Sequence, residues 1–254
     1  MLTKLPRFGT IALAVVATVV LAGTAAVAQE GIVVQPAPTG RLQVTKAGQP
    51  IMAIELSVHG DNWTHAPQSR AQAQVTQLAD QPGLLYKGLL QVPGGEGPLN
   101  FEETLRPAEN GFFADYKMWF NQPTTLNGLQ VSLLLPVARY LGKNVVLVGG
   151  GGRETTVELP MQLDAQKWVL HQGGGITEVQ IAPGTDVASG VACGGPTNVL
   201  VHDLRQWQQQ VFEIRFHQVY QQTALTVEAN REFKFSLAFG FQEPVTIQGL
   251  AAGG

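Results

Sequence analysis

Three side chains at every second position of "VFEIRFHQVY" could do chemistry together: Glu213, Arg215 and His217. On an extended strand they share one face about 7 Å apart stepwise, while Phe212, Ile214 and Phe216 take the other. A carboxylate and a guanidinium beside an imidazole could tune it for proton transfer, or the row could bind an extended polar ligand. A solvated charge ladder is the simpler structure with the same spacing, and it is the expectation for this strand.

Three further stretches carry candidate groups. "VHGDNWTH" holds His59, Asp61, Asn62, Trp63 and His65, a loop that mixes hydrogen-bonding groups with a flat ring. Sugar recognition needs that mixture, because a pyranose has polar edges and an apolar C–H face. A cation on His59, Asp61 and His65 is the sharper alternative, yet the spacing matches no standard metal pattern, so no metal is expected. In "FFADYKMWF", Lys117 and Trp119 fall on the polar column; a large ring left exposed there tends to mark an interface, and packing on the sheet's second face is the simpler explanation. "VHDLRQWQQQ" places His202 beside Asp203, but strand neighbours point to opposite faces, so the two are not expected to pair. The candidates are therefore His217, Arg215, Glu213 and His202 for catalysis. Trp63, Trp119, His59, Asn62 and Lys117 are the candidates for ligand binding. No phosphate loop, nucleophile elbow or paired C-x-x-C occurs, and no cofactor is expected.

The elements that must position these groups read as strands. Short alternating runs are punctuated by turns, which the chain's 29 glycines and 15 prolines serve. No convincing helix of three turns is present: "SRAQAQVTQLADQ" and "DLRQWQQQ" are the best candidates, and the first alternates as well as it rotates. About a dozen strands imply an all-β, antiparallel β-sandwich in one domain over residues 41–254. In "EFKFSLAFGF" the phenylalanines face one way, and the small residues opposite imply a closely packed neighbour.

Lys4 and Arg7, an apolar run over Ile11 to Gly23 and Ala26-Val27-Ala28 form a leader pattern, so residues 1–28 read as a cleaved signal peptide. Residues 29–40 read as a short extended tether. The expected location is exported, periplasmic or extracellular, in a bacterium, with no membrane insertion after cleavage. The formal net charge is −3, and loss of Lys4 and Arg7 makes it two charges more negative. With no basic cluster, nucleic acid is not an expected partner. Cys193 is the single cysteine, so stability must come from a core, for which 44% hydrophobic content suffices.

"LNGLQVSLLLPVARYLGKNVVL" and "REFKFSLAFGF" resemble segments of galactose-mutarotase-like supersandwich domains of the kind attached to bacterial glycoside hydrolases. The resemblance covers about the C-terminal half and lies in sheet pattern. It implies a large β-sandwich and a carbohydrate ligand held on a concave sheet. In that family His and Glu, or Tyr and Arg, transfer protons; no complete set aligns with this chain. The expected function is binding of a poly- or oligosaccharide through a polar and aromatic face. The alternatives are a lyase- or epimerase-type enzyme, with His217 or His202 as base and Arg215 steadying the anion, and an envelope scaffold without a small ligand.

Overall fold

A computed structural model describes residues 31–250; the leader over residues 1–28 lies outside them. The chain begins with β1 (Ile32–Pro36), β2 (Leu42–Lys46) and β3 (Gln49–Gly60). Next come β4 (His65–Pro67), β5 (Gln72–Gln77), β6 (Leu84–Leu90) and β7 (Leu99–Ala108). The middle of the chain supplies β8 (Gly111–Phe120), β9 (Thr124–Pro136), β10 (Asn144–Gly149) and β11 (Glu154–Glu158). Last are β12 (Val169–Ile181), β13 (Ser189–Asp203), β14 (Val211–Val227), β15 (Phe233–Phe241) and β16 (Val245–Ile247).

The strands join in one curled sheet, ordered β16-β1-β2-β3-β9-β14-β13-β15-β8-β7-β6-β5. The β10–β11 hairpin packs on through β12, and β4 pairs with β3. Among the described strand pairs only β1–β16 is parallel. The sheet folds over until its ends meet, where Gln77 Nε2 on β5 donates to the Gly249 carbonyl at 2.7 Å. Its two halves bury one apolar core between them, Phe212, Ile214 and Phe216 from one side and Phe101, Phe112 and Phe120 from the other. The fold is an all-β sandwich, as alternation required.

Two expectations need correction. The tether is partly sheet: Ile32, Val33 and Val34 are buried in β1, between β2 and β16. Its apolar residues gain more from burial than an extended segment could. As expected, no three-turn helix forms among the described residues: Gln72–Gln77 is a strand and Leu204–Trp207 a single 3-10 turn. The small-residue face of β15 is open: Ser236 and Gly240 are exposed, and Gly240 lines a shallow groove with Gly190 and Ala192.

One polar knot crosses the core. Glu103 is fully buried; it accepts from Gln68 Nε2 at 2.5 Å and from the Tyr116 hydroxyl at 3.1 Å. Gln68 Oε1 accepts from the Leu56 amide, which ties this knot to β3. Gly40, at φ +90°, packs where a Cβ would lie 2.5 Å from both Gln68 Nε2 and Glu103 Oε2. Gly40→Ala is expected to cost at least about 1–3 kcal/mol through backbone strain alone, read as a lower urea midpoint. An unchanged midpoint would show that the knot is not tightly packed.

Candidate functional site

Four adjacent strands, β3, β9, β14 and β13, build the site, and their register explains how. Glu55 pairs with Ser132, and Ser132 with Arg215; Ser57 pairs with Gln130, and Gln130 with His217. Leu134 pairs with Glu213, and Glu213 with His202. Paired residues share a face, so these rows form one polar floor. The intervening row, Ile54, Leu133, Ile214 and Val201, faces the core.

This floor is not a wet face. Glu213, Arg215 and His217 are 4%, 9% and 8% exposed, which overturns the solvated-ladder expectation. A cavity of about 440 Å³ stands over Glu213 and Arg215, lined also by Glu55, Ser57, His59, His65 and His202. Three of the chain's four tryptophans, Trp63, Trp168 and Trp207, complete its walls with Tyr220. Alternation names the side of a strand a residue takes but not what lies above it.

The walls are held in place by turns. Asn62 and Trp63 both adopt left-handed backbone (φ 56° and 59°), a costly geometry for such residues. Asn127 fixes that turn by accepting from the Trp63 amide at 3.2 Å while donating to the Gln221 and Gln222 carbonyls. Trp63 thereby meets His59 and Tyr220 edge-on, each ring 5.3 Å away. Opposite, Arg205 grips Asp203 through Nε and Nη2 and donates to the carbonyls of Pro160 and Met161. This clamp sets Trp207 against Trp168 at 4.7 Å, with His202 beneath at 4.9 Å from Trp168. Arg205→Met is expected to cost about 1–3 kcal/mol, since buried Asp203 loses its guanidinium and keeps only the residue-205 amide as donor. Tryptophan emission should shift to the red as Trp207 parts from Trp168; unaltered emission would show that the clamp does not hold the wall.

A continuous hydrogen-bond chain crosses the floor. Ser132 donates to Glu213 Oε1 at 2.7 Å, and Gln130 Nε2 donates to Ser57 Oγ at 3.0 Å. The two serine hydroxyls lie 3.4 Å apart, and Gln130 Nε2 is 3.1 Å from His59 Nδ1. A carboxylate can only accept, so donation runs from Gln130 through Ser57 and Ser132 to Glu213. His59 then accepts at Nδ1 and carries its proton on Nε2.

Charges in the cavity are paired. Arg215 Nε lies 2.7 Å from Glu213 Oε2, off the hydrogen-bonding direction, and Arg41 Nε lies 3.2 Å from Glu55 Oε2. Burial opposes ionisation of Glu213, but Arg215, His202 and Ser132 outweigh it and hold the carboxyl down to about 2. Burial lowers every histidine here. His59 falls to about 3 and His217 to about 4, each with Arg215 as the next cause. His65 and His202 are lowered too, and burial raises Glu55. At neutral pH the site therefore presents neutral imidazoles around the Glu213–Arg215 ion pair, with Glu55 beside Arg41. Both His202 nitrogens and Glu213 Oε2 are buried without a hydrogen-bond partner, and the 3.7 Å between His202 Nδ1 and Glu213 Oε2 is too long to serve as one.

The structure brings Glu213, Arg215, His202, His59 and Trp63 to the cavity. His217 sits farther along the same column against Tyr220, at 5.2 Å, and does not line it. Asn62 is exposed outside it. Trp119 and Lys117 lie on β8, beyond β15, where the Lys117 ammonium sits 5.2 Å from the Trp119 ring centre and pairs with Glu232. Trp119 belongs to a separate hollow with Asn100 and Gln72, so these two residues do not join the site. Glu55, Ser57, Trp168 and Gln130 join the site from outside the sequence candidates. Glu55, Ser57 and His59 repeat the i, i+2, i+4 spacing of Glu213, Arg215 and His217, a signal present in "IELSVH". Among the described residues no cluster of three or more His, Cys, Asp or Glu is placed to hold a metal ion. Among them also, no helix is long and apolar enough to cross a membrane, which says nothing of a β-barrel. Burial pushes the Cys193 thiol up to about 11, so it is no ready nucleophile.

No family model matches the sequence, and no curated protein matches it. Solved structures do. A galactose mutarotase-like protein from Lactobacillus casei ATCC 334 superposes with a TM-score of 0.51 at 9% identity, over 83% of this chain and 99% of that one. The Slr1438 protein of Synechocystis sp. PCC 6803 gives 0.48 at 10%, over 81% and 89%. The 4-alpha-glucanotransferase of Thermococcus litoralis gives 0.49 at 11%, over 83% of this chain but 36% of that one. The chain is thus an all-β protein with a galactose mutarotase-like fold. At such identities the likeness is one of fold alone.

Proposed function

We propose that this protein is exported and binds an uncharged sugar unit of an oligo- or polysaccharide in the cavity over β3, β9, β14 and β13. One observation carries the reading: a polar floor with unpartnered His202 and Glu213 atoms lies between tryptophan walls, in a space of about 440 Å³. That size falls within the range of about 300–1,000 Å³ usual for small-molecule sites. Hydroxyls would take the free hydrogen-bonding capacity, and an apolar sugar face would lie on Trp168 or Trp207. Paired charges favour a neutral ligand, since a carboxylate would have to compete with Glu213 for Arg215. The mutarotase-like fold supports a sugar as ligand, and the leader pattern at residues 1–28 supports export.

A glycan array followed by calorimetry tests this. Wild type should bind at least one neutral glycan, and Trp168→Ala should weaken it about tenfold, as loss of one stacked ring predicts. A folded wild type that binds no glycan would sink the reading. An epimerase- or lyase-type enzyme is the second reading, favoured by the neutral His202 beside ionised Glu213 in a sheltered cavity. Polarimetry and an unsaturated-product assay on wild type and His202→Gln decide it. Turnover lost with binding retained selects the enzyme; no turnover by wild type leaves a binding protein.

A further inference from the structure

The cavity carries two aromatic platforms, one at each end of its polar floor. At one end Trp168 and Trp207 stand over His202, with Trp168 4.9 Å from the imidazole. At the other, Trp63 stands beside His59 and Tyr220, and His65 stacks on His59 at 4.8 Å. Strand register fixes how far apart the two ends lie. His202 pairs with Glu213 and Glu213 with Leu134 on β9, whereas His59 and Tyr220 both pair with Gly128 on that strand. Leu134 and Gly128 are six residues apart, roughly 20 Å of strand. Glu55, Ser57 and Arg215 fill the floor between them.

A single pyranose ring against Trp168 or Trp207 is too short to touch Trp63 as well. Nor is Trp63 a core residue. It is half-buried, and it takes a left-handed backbone that Gly or Asn would adopt at lower cost. Strain of this kind persists where the surroundings enforce it, here through Asn127, and it clusters where proteins clamp ligands. Resting on the sugar reading of the cavity, we infer that the site holds at least two units of one sugar chain, the first against Trp168 and Trp207 and a later one against Trp63 and Tyr220. A pyranose chain repeats an apolar ring face and hydroxyl edges from unit to unit, and the cavity offers both kinds of partner at each end. The polar groups follow the same division. His202 and Glu213 leave unpartnered atoms at the first end, and Glu55 Oε2 and Arg215 Nε lack a hydrogen bond midway. His59 brings its ring N–H to the far end.

Calorimetry on a length series tests the inference, with methyl glycosides as the single unit and α- and β-linked oligomers of glucose, galactose, mannose and xylose up to four units. For the sugar type bound best, wild type should hold the trimer about tenfold more tightly than the methyl glycoside, as contact with a second aromatic platform predicts. Trp63→Asn keeps a residue suited to the left-handed turn; it should abolish that gain and leave methyl glycoside affinity within about twofold. Tyr220→Leu, on the same platform, should cut the gain too, and it serves if Trp63→Asn does not fold. Trp168→Ala should weaken every member of the series. Equal affinity of wild type for one unit and three, or a length gain that both platform variants leave untouched, overturns the inference while the sugar reading stands. So does an equal loss at every length in Trp63→Asn, which would place Trp63 in a single-unit site. If no member of the series binds at any length, both readings fall.

Discussion

Arg215→Met is expected to lower the free energy of unfolding by about 3–5 kcal/mol, the cost of leaving a buried charge without its partner. Glu213 is 4% exposed, and among the described residues Arg215 is the one cation within contact of it; Ser132 supplies a single neutral donor. Removing the guanidinium leaves the carboxylate with an incomplete shell and a pull toward protonation. A loss of that size is a large part of the 5–15 kcal/mol that holds most domains together, so the single variant is expected to fold poorly. Glu213→Gln/Arg215→Met removes both charges and should recover most of the loss, because the pair's mutual attraction and its desolvation largely cancel. Urea unfolding of the three proteins at pH 7 measures this. If the double variant is no more stable than Arg215→Met, the pair is not the source of the effect.

Acid should weaken the protein well before its carboxylates titrate. An unfolded histidine titrates near 6.5, whereas His59 and His217 do so at about 3 and 4 in the folded protein, and His65 and His202 are lowered as well. Below pH 6.5 the unfolded chain therefore binds more protons than the folded one. Stability is full above that pH and falls as pH drops toward 3–4, by up to about 1.4 kcal/mol per pH unit for each histidine. Glu213 adds to the loss below its unfolded value of 4.5, as pH approaches 2. Two groups act in the opposite direction. Burial pushes Glu103 up to about 8 and raises Glu55, so both favour the folded state at low pH, and their contribution fades as pH rises from 4.5. Four histidines outweigh two glutamates between about pH 4.5 and 6.5. The urea midpoint should fall over that interval, and His59→Gln should make the fall shallower by about one proton. Glu103→Gln should steepen it and remove a gentle decline from pH 6.5 to 8. A midpoint constant from pH 7 to 4.5 would mean that water reaches these imidazoles freely.

Much of the fold was legible because alternation is a local property. Phe212, Ile214 and Phe216 had to share a face whatever else the chain did, and all three are fully buried. Opposite directions for His202 and Asp203 followed from the same rule: His202 lies beside Glu213 across the strand pair, and Asp203 turns to Arg205. The site was legible only in part. Trp119 and Lys117 looked like partners of Trp63 because all carry suitable chemistry, and strand order alone separates them. Glu55 and Ser57 escaped notice inside an apolar run whose two polar positions look incidental until β9 places Ser132 and Gln130 beside them.

Side-chain order along the chain determined an all-β sandwich and put Glu213, Arg215 and His217 on one face, since neighbours on a strand must diverge. Tertiary structure decided that this face is sheltered, that four strands align their polar rows, and that residues 160–168 and 203–208 roof them with Trp168 and Trp207. Those outcomes depend on register and on contacts between residues far apart in sequence. Registry energy comes from burying whole rows at once, and no single stretch of residues contains it.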